Sequence, residues 1–221
     1  MRRLQVLAWV VIAALALNAI LSVIGIDTDL SEHNLIRQLQ AGTFVSLSRA
    51  NSMDHRVHTI GITEIALYVV TGILFIAWFH QAYKNVARLG VAGMRWSSGW
   101  AIGGWFVPIL NLVRPKTIIN DIWRGSDPGL RVGSTLGQDG PPLLYQLWWG
   151  MWIAGWVAAR LSFTNYGNAE TLSKLSTATD WLTVSDVLDL IGAVLAIAVV
   201  YSLTSRQRTR AEALAAVDPT A

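Results

Sequence analysis

The chain has 221 residues, of which 53% are hydrophobic and only 14% charged, with a mean hydropathy of +0.43. Soluble domains carry about 25% charged residues, so the composition excludes an ordinary water-soluble domain. The formal charge of +3 fits anchoring at a membrane surface better than nucleic-acid binding. The absence of cysteine rules out disulfides, iron–sulfur ligation and thiol catalysis.

A helix needs about 20 apolar residues to cross the hydrocarbon core. Four segments pass: 4–26, 60–83, 143–163 and 181–203. The first follows "MRR" and contains "ALA", as a secretory signal does, but its apolar run is longer than a signal core of about 7–15 residues. It reads as a retained anchor. The loop 27–59 then follows, in which Leu35, Leu39 and Phe44 stand near helical spacing and Ser31 is a candidate N-cap, so a short amphipathic helix on the external surface is expected. Asp54, His55 and His58 are weak metal candidates: the residue types suit zinc, but the spacing matches no strong motif.

The second span carries Glu64 near its start. Beyond it, the stretch 98–124 begins apolar and ends polar. It starts after Lys84, Arg88 and Arg95 and stops at Arg124, before Arg131, so it enters and leaves on one face rather than crossing. Its apolar part, 100–113, is too short to span. Pro108 opposes helical geometry at Val107, and Gly99, Gly103 and Gly104 permit a bend. A re-entrant or interfacial broken helix is expected here. Lys84, Arg88, Trp105, Asn111 and Arg114 form a candidate site for an anionic lipid or phosphate, with Trp105 and Pro108 shaping its apolar floor.

Three motifs carry a resemblance: "WFHQAYKNVARLG" at 78–90, "SSGWAIGGWFVPILNLVRP" at 97–115 and "DIWRGSDP" at 121–128. The chain resembles the bacterial membrane proteins grouped as domain of unknown function 4328, common in actinobacteria, over roughly 67–203. The resemblance implies a multi-span membrane protein that shares this segment, and it implies no catalytic residue.

The third span places Trp148, Trp152 and Trp156 every fourth residue, an expected aromatic contact face for packing, a partner protein or a lipid or quinone tail. Arg160 near its end, with Glu64, Asp186 and Asp189, is expected to form a polar intramembrane cluster in which Arg160 meets a carboxylate. The tail 204–221 reads as a short helix fraying at Asp218 and Pro219. Lysine and arginine fall mostly on the N-terminal side of this topology, twelve of seventeen counting Arg2, Arg3, Arg206, Arg208 and Arg210 with those around 84–131, so both termini are expected in the cytoplasm of a bacterial inner membrane.

The expected fold is therefore all-α and integral to the membrane: four transmembrane helices in a single membrane domain, with the broken helix between the second and third. No G-x-S-x-G, P-loop, H-E-x-x-H or Rossmann pattern is present, which points away from an enzyme. The expected function is a non-enzymatic accessory protein that packs into or stabilises a membrane complex. The alternative is a small transporter or lipid-binding protein using the acidic cluster or the basic pocket. No cofactor is expected beyond bound lipid. The expected partners are membrane lipids and other membrane subunits or a second copy, and not nucleic acid.

Overall fold

The computed structural model describes residues 1–217, which form helices joined by turns, with no strand among them. The elements are α1 (Arg2–Gln40), α2 (Leu47–Arg88), α3 (Trp100–Gly103), a 3-10 turn (Leu110–Leu112), α4 (Arg114–Gly125), α5 (Leu143–Gly167) and α6 (Leu172–Val217). Helices α1, α2 and α6 are long and apolar enough to cross a membrane. Large apolar side chains such as Trp9, Ile20, Ile65, Ile73, Phe163 and Val194 stand exposed on them and on α5, as a hydrocarbon surrounding permits and water would not.

The helices run well past the expected span ends. No proline or glycine interrupts 27–40, so α1 continues to Gln40 and the expected external loop shrinks to 41–46. Ser31 is therefore no N-cap; inside the helix its hydroxyl donates to the Asp27 carbonyl at 2.8 Å. Gly42 ends α1 in the left-handed region (φ 73°), with its own N–H on Leu39 and that of Thr43 on Gln38, a Schellman motif. Helix α2 then starts at the Ser46 cap, whose hydroxyl accepts the Arg49 N–H at 3.3 Å. Helix α6 is capped likewise by Thr171 and runs unbroken to Val217, so the tail is no separate short helix. The expected fraying at Asp218 and Pro219 lies outside the described residues.

By internal contacts the chain forms two compact units, one of residues 1–14, 70–147 and 196–221, the other of 15–69 and 148–195. In the first, α2 buries a stripe at helical spacing, Phe75, Trp78, Phe79, Ala82, Tyr83 and Val86, and α4 buries Ile118, Ile119 and Ile122. Several polar groups inside this core are matched across helices. Trp78 Nε1 donates to Thr204 (3.1 Å), the Tyr145 hydroxyl pairs with Ser202 (2.7 Å), and Gln207 donates to the Ala82 carbonyl (2.9 Å). Arg210, read from sequence as an anchoring surface charge, is fully buried. Its guanidinium donates to the carbonyls of Leu89, Asp127 and Leu130, tying the C-terminal end of α2 to the turn after α4. A cation at a helix C-terminus also meets the negative end of the helix dipole.

The segment 98–124 is broken as its Pro and Gly content implies. One turn of helix (α3) gives way to a γ-turn at Pro108–Leu110, where the Leu110 N–H bonds the Pro108 carbonyl at 2.8 Å and Ile109 is held at φ 67°. That conformation is strained for a β-branched residue. Pro115 then sits in the first turn of α4, where a missing N–H costs nothing.

Replacing Arg210 with methionine leaves buried carbonyls unpaired, so Arg210→Met is expected to lower unfolding stability in mild detergent by about 2–4 kcal/mol. Arg210→Lys is expected to recover only part of it, because one ammonium cannot reproduce the guanidinium fork.

Candidate functional site

The second unit is organised by α1 against α6. His33 meets Asp180 (3.2 Å), Glu32 accepts from Thr179 (3.1 Å), and Gly25 lies against Asp186. In each pair the two residue numbers add to between 211 and 213, the signature of antiparallel helices held in one register. The same register sets Asp29 beside Thr183.

At the centre is Gly25. A Cβ there would overlap both Asp186 Oδ2 and Glu64 Oε1, so two carboxyl oxygens from α6 and α2 converge on the space that the glycine leaves open. Asp186 is only 6% exposed, and neither of these oxygens has a hydrogen-bond partner. Asp29, 3% exposed, lies one turn further along α1, and its Oδ2 is likewise without a partner. Asp189, one turn beyond Asp186 on α6, faces α5: its Oδ1 would stand 2.8 Å from a Cβ at Gly155. Towards the α1–α2 connection, Glu32 is buried and its Oε2 accepts from the Tyr166 hydroxyl (2.8 Å) and from Thr179, whose oxygen lies 3.1 Å from that of Tyr166.

No cation neutralises the inner acids. Among the described residues the ion pairs of this unit are Arg56–Asp27, His33–Asp180 and Lys174–Glu170, and none reaches Glu64, Asp186 or Asp189. Arg160, expected to join them, is exposed on α5 with its guanidinium 6.0 Å from the Phe163 ring centre. The structure thus brings together three of the four expected residues and leaves out the arginine, because α5 turns that position away. Asp29, Glu32 and Tyr166 were missed. The first two fall in the expected loop 27–59, although the spacing of Gly25, Asp29 and Glu32 keeps one helix face and no breaker separates them.

The aromatic face is also rearranged. Residues four apart rotate by about 40° per step around a helix, so Trp148, Trp152 and Trp156 do not share one side. Trp148 is buried, Trp152 half-buried and Trp156 58% exposed. The stack that forms is Trp149 on Trp152 (4.9 Å between centres, planes 17° apart) with Trp148 beside it, and Trp152 Nε1 donates to the Tyr68 hydroxyl at 3.0 Å. Asp54, His55 and His58 are exposed along the first turns of α2, and among the described residues no three His, Cys, Asp or Glu side chains are placed to hold a metal ion.

In the first unit, the expected basic pocket is divided among the chain's own groups. Arg114 lies 3.5 Å from the ring centre of Trp96 and 4.8 Å from that of Trp100, sandwiched as a cation on indole faces. Gly104 makes room for it, since a Cβ there would come within 2.7 Å of Arg114 Cγ. Trp105 packs edge-on against Phe75 and Phe79. Lys84 and Arg88 are exposed on α2, and Asn111 stands in the 3-10 turn. Arg95 pairs with the fully buried Asp121 at 2.9 Å, where burial pushes the carboxyl up despite the guanidiniums of Arg95 and Arg124. Lys116 donates to Gln146 at 2.6 Å, and burial pulls its ammonium down to about 8.

The chain belongs to the family described as Domain of unknown function (DUF4328), which it matches over residues 41–205. No curated protein and no solved structure matches it.

Gly25→Ala is expected to destabilise the protein by about 2–3 kcal/mol through overlap with two carboxyls, with Asp186→Ala in the same chain returning part of the loss. Additive effects in that double-mutant cycle would show that Gly25 and Asp186 do not meet. Lys116 supplies a pH test. Its folded pKa is about 8 against 10.5 for a free lysine, so the unfolded chain binds the proton more tightly and stability rises as pH climbs from 8 towards 10. The thermal midpoint is expected to rise over that window in the wild type and to lose that component in Lys116→Met.

Proposed function

We propose that the chain is a small proton-coupled transporter of a bacterial cytoplasmic membrane, with Glu64 and Asp186 as its proton-binding pair. The observation that carries the reading is the convergence of their unpartnered oxygens beside Gly25, with no basic group to offset them. An ionised carboxylate taken out of water costs several kcal/mol. Two held together away from water persist when a proton lies between them. The donor set favours a proton over a metal ion, since no third ligand is placed to complete a metal site among the described residues. Ionisable groups at membrane depth commonly mark proton or ion routes.

In this reading α5 is a fourth span beside α1, α2 and α6. Its 25 residues reach about 37 Å at 1.5 Å per residue, and its tryptophans suit a membrane interface. The broken stretch from α3 to α4 enters and leaves on the cytoplasmic face, where Lys84, Arg88 and Arg131 hold it by the attraction of basic groups to the inner surface. Both termini lie on that same face. A second reading, an accessory subunit of a larger membrane assembly, is favoured by the apolar surface of α5, where Trp156 is 58% and Phe163 73% exposed.

The full-length protein reconstituted in liposomes is expected to dissipate an imposed pH gradient faster than empty liposomes do, followed with an entrapped pH-sensitive dye. Asp186→Asn is expected to fall to the empty-liposome rate. Wild-type flux no faster than that of empty liposomes would exclude a proton path through this pair that opens without a co-transported solute, and would favour the accessory reading.

A further inference from the structure

The acids of the second unit do not form a compact knot. They are spaced at helical-turn intervals along the α1–α6 seam. Asp180 is 62% exposed and holds His33 at 3.2 Å. Beside them Glu32 is 8% exposed and held by Tyr166 and Thr179, and Asp29 follows one turn along α1. Next come Glu64 and Asp186 at Gly25, and then Asp189. His33 adjoins Glu32 in sequence, and from there the steps to Asp29, to the level of Gly25 and Asp186, and on to Asp189 are three or four residues each, about one helical turn or some 5 Å.

We propose that this line is a one-sided proton inlet, in which Glu32 is the positioned relay between the solvent-facing His33–Asp180 pair and the Glu64–Asp186 pair. The inference rests on the proposed proton-binding reading of that pair and adds the route and the side from which it is loaded.

The chemistry follows from the hydrogen bonds. Glu32 Oε2 already accepts two hydroxyl hydrogens, from Tyr166 and Thr179, an arrangement that stabilises it as an acceptor. A proton arriving on Glu32 from the imidazolium of His33 neutralises it, and those two hydroxyls then turn to other acceptors. Thr179 has the Leu175 carbonyl at 3.1 Å for this purpose. The proton passes next to Asp29, and from Asp29 to the Glu64–Asp186 pair. At each step one O–H or N–H bond breaks as one O–H forms, so charge is conserved along the line, and a turn-length gap is within the reach of a single bridging water. The titratable groups around Glu32 are Asp29 and His33 on α1, Glu64 on α2, Tyr166 on α5, and Asp180 and Asp186 on α6. Only His33 among them becomes cationic, and it stands at the exposed end. Asp29, with a buried unpartnered oxygen, is the second observation that points inward.

The experiment is infrared spectroscopy of the full-length protein in lipid, following the C=O stretch of protonated buried carboxyls after a switch from H2O to D2O. The wild type is expected to show this band and to shift it promptly. Asp186→Asn should remove most of it. Glu32→Gln should keep the band and slow its shift by about a hundredfold, the scale on which a positioned proton-transfer group acts. Glu32→Asp should restore part of the rate, and Tyr166→Phe should slow it less than Glu32→Gln does. Unchanged elution on size-exclusion chromatography identifies variants that have folded. A wild-type spectrum without the band overturns the reading of the carboxyl pair and the inlet with it. A band that survives in Glu32→Gln and exchanges at the wild-type rate overturns the inlet alone.

Discussion

Burial away from water makes an unpartnered polar group costly, and the two units of this chain answer that demand differently. The first unit meets much of it with donors. Trp78, Gln207 and Arg210 reach across from one helix to the hydroxyls and carbonyls of others, and the charged one, Arg210, places its guanidinium on backbone oxygens at a helix end. In the second unit, carboxyl oxygens of Asp29, Glu64 and Asp186 lie buried with no hydrogen-bond partner and no ion pair among the described residues, whereas the buried carboxyl of Asp121 in the first unit has Arg95 beside it.

That contrast separates a scaffold from a site. A satisfied network fixes one arrangement, whereas buried unsatisfied acids destabilise the fold unless another species, here a proton, completes them. Gly25 makes the arrangement possible. Any side chain at that position would occupy the point where two acids meet, so the glycine serves proximity rather than backbone freedom; it lies inside a regular helix. The register between α1 and α6 does the rest by repeating the same helix face at each turn, which turns scattered acids into a line.

The basic and aromatic groups of the first unit follow another logic. Arg114 between two indoles, Arg95 on buried Asp121 and Arg206 over Trp123 (4.1 Å) are each matched inside the chain, so of the cations in the expected lipid or phosphate site Arg114 is an internal fastener. Lys84 and Arg88 are the members of that group left exposed, in keeping with the general role of basic residues in setting orientation.

Composition and hydrophobic run length were sufficient for an all-helical chain with long membrane-capable helices, because those properties depend on local transfer energetics that each segment carries alone. The break at 98–124 was legible for the same reason: Pro108 and the glycines act on their own backbone. The ionisable residues at Glu64, Asp186 and Asp189 stood out because charge is rare in apolar runs. What the sequence could not decide was where helices stop when no breaker is present, hence the loop assigned to 27–59. Nor could it decide which way a side chain faces once rotation accumulates, hence Trp156 and Arg160. Only the packing of α1, α2, α5 and α6 in the second unit selected which acids meet, since a contact between residues more than a hundred positions apart depends on helix register and on a missing Cβ at Gly25, neither of which leaves a local signal.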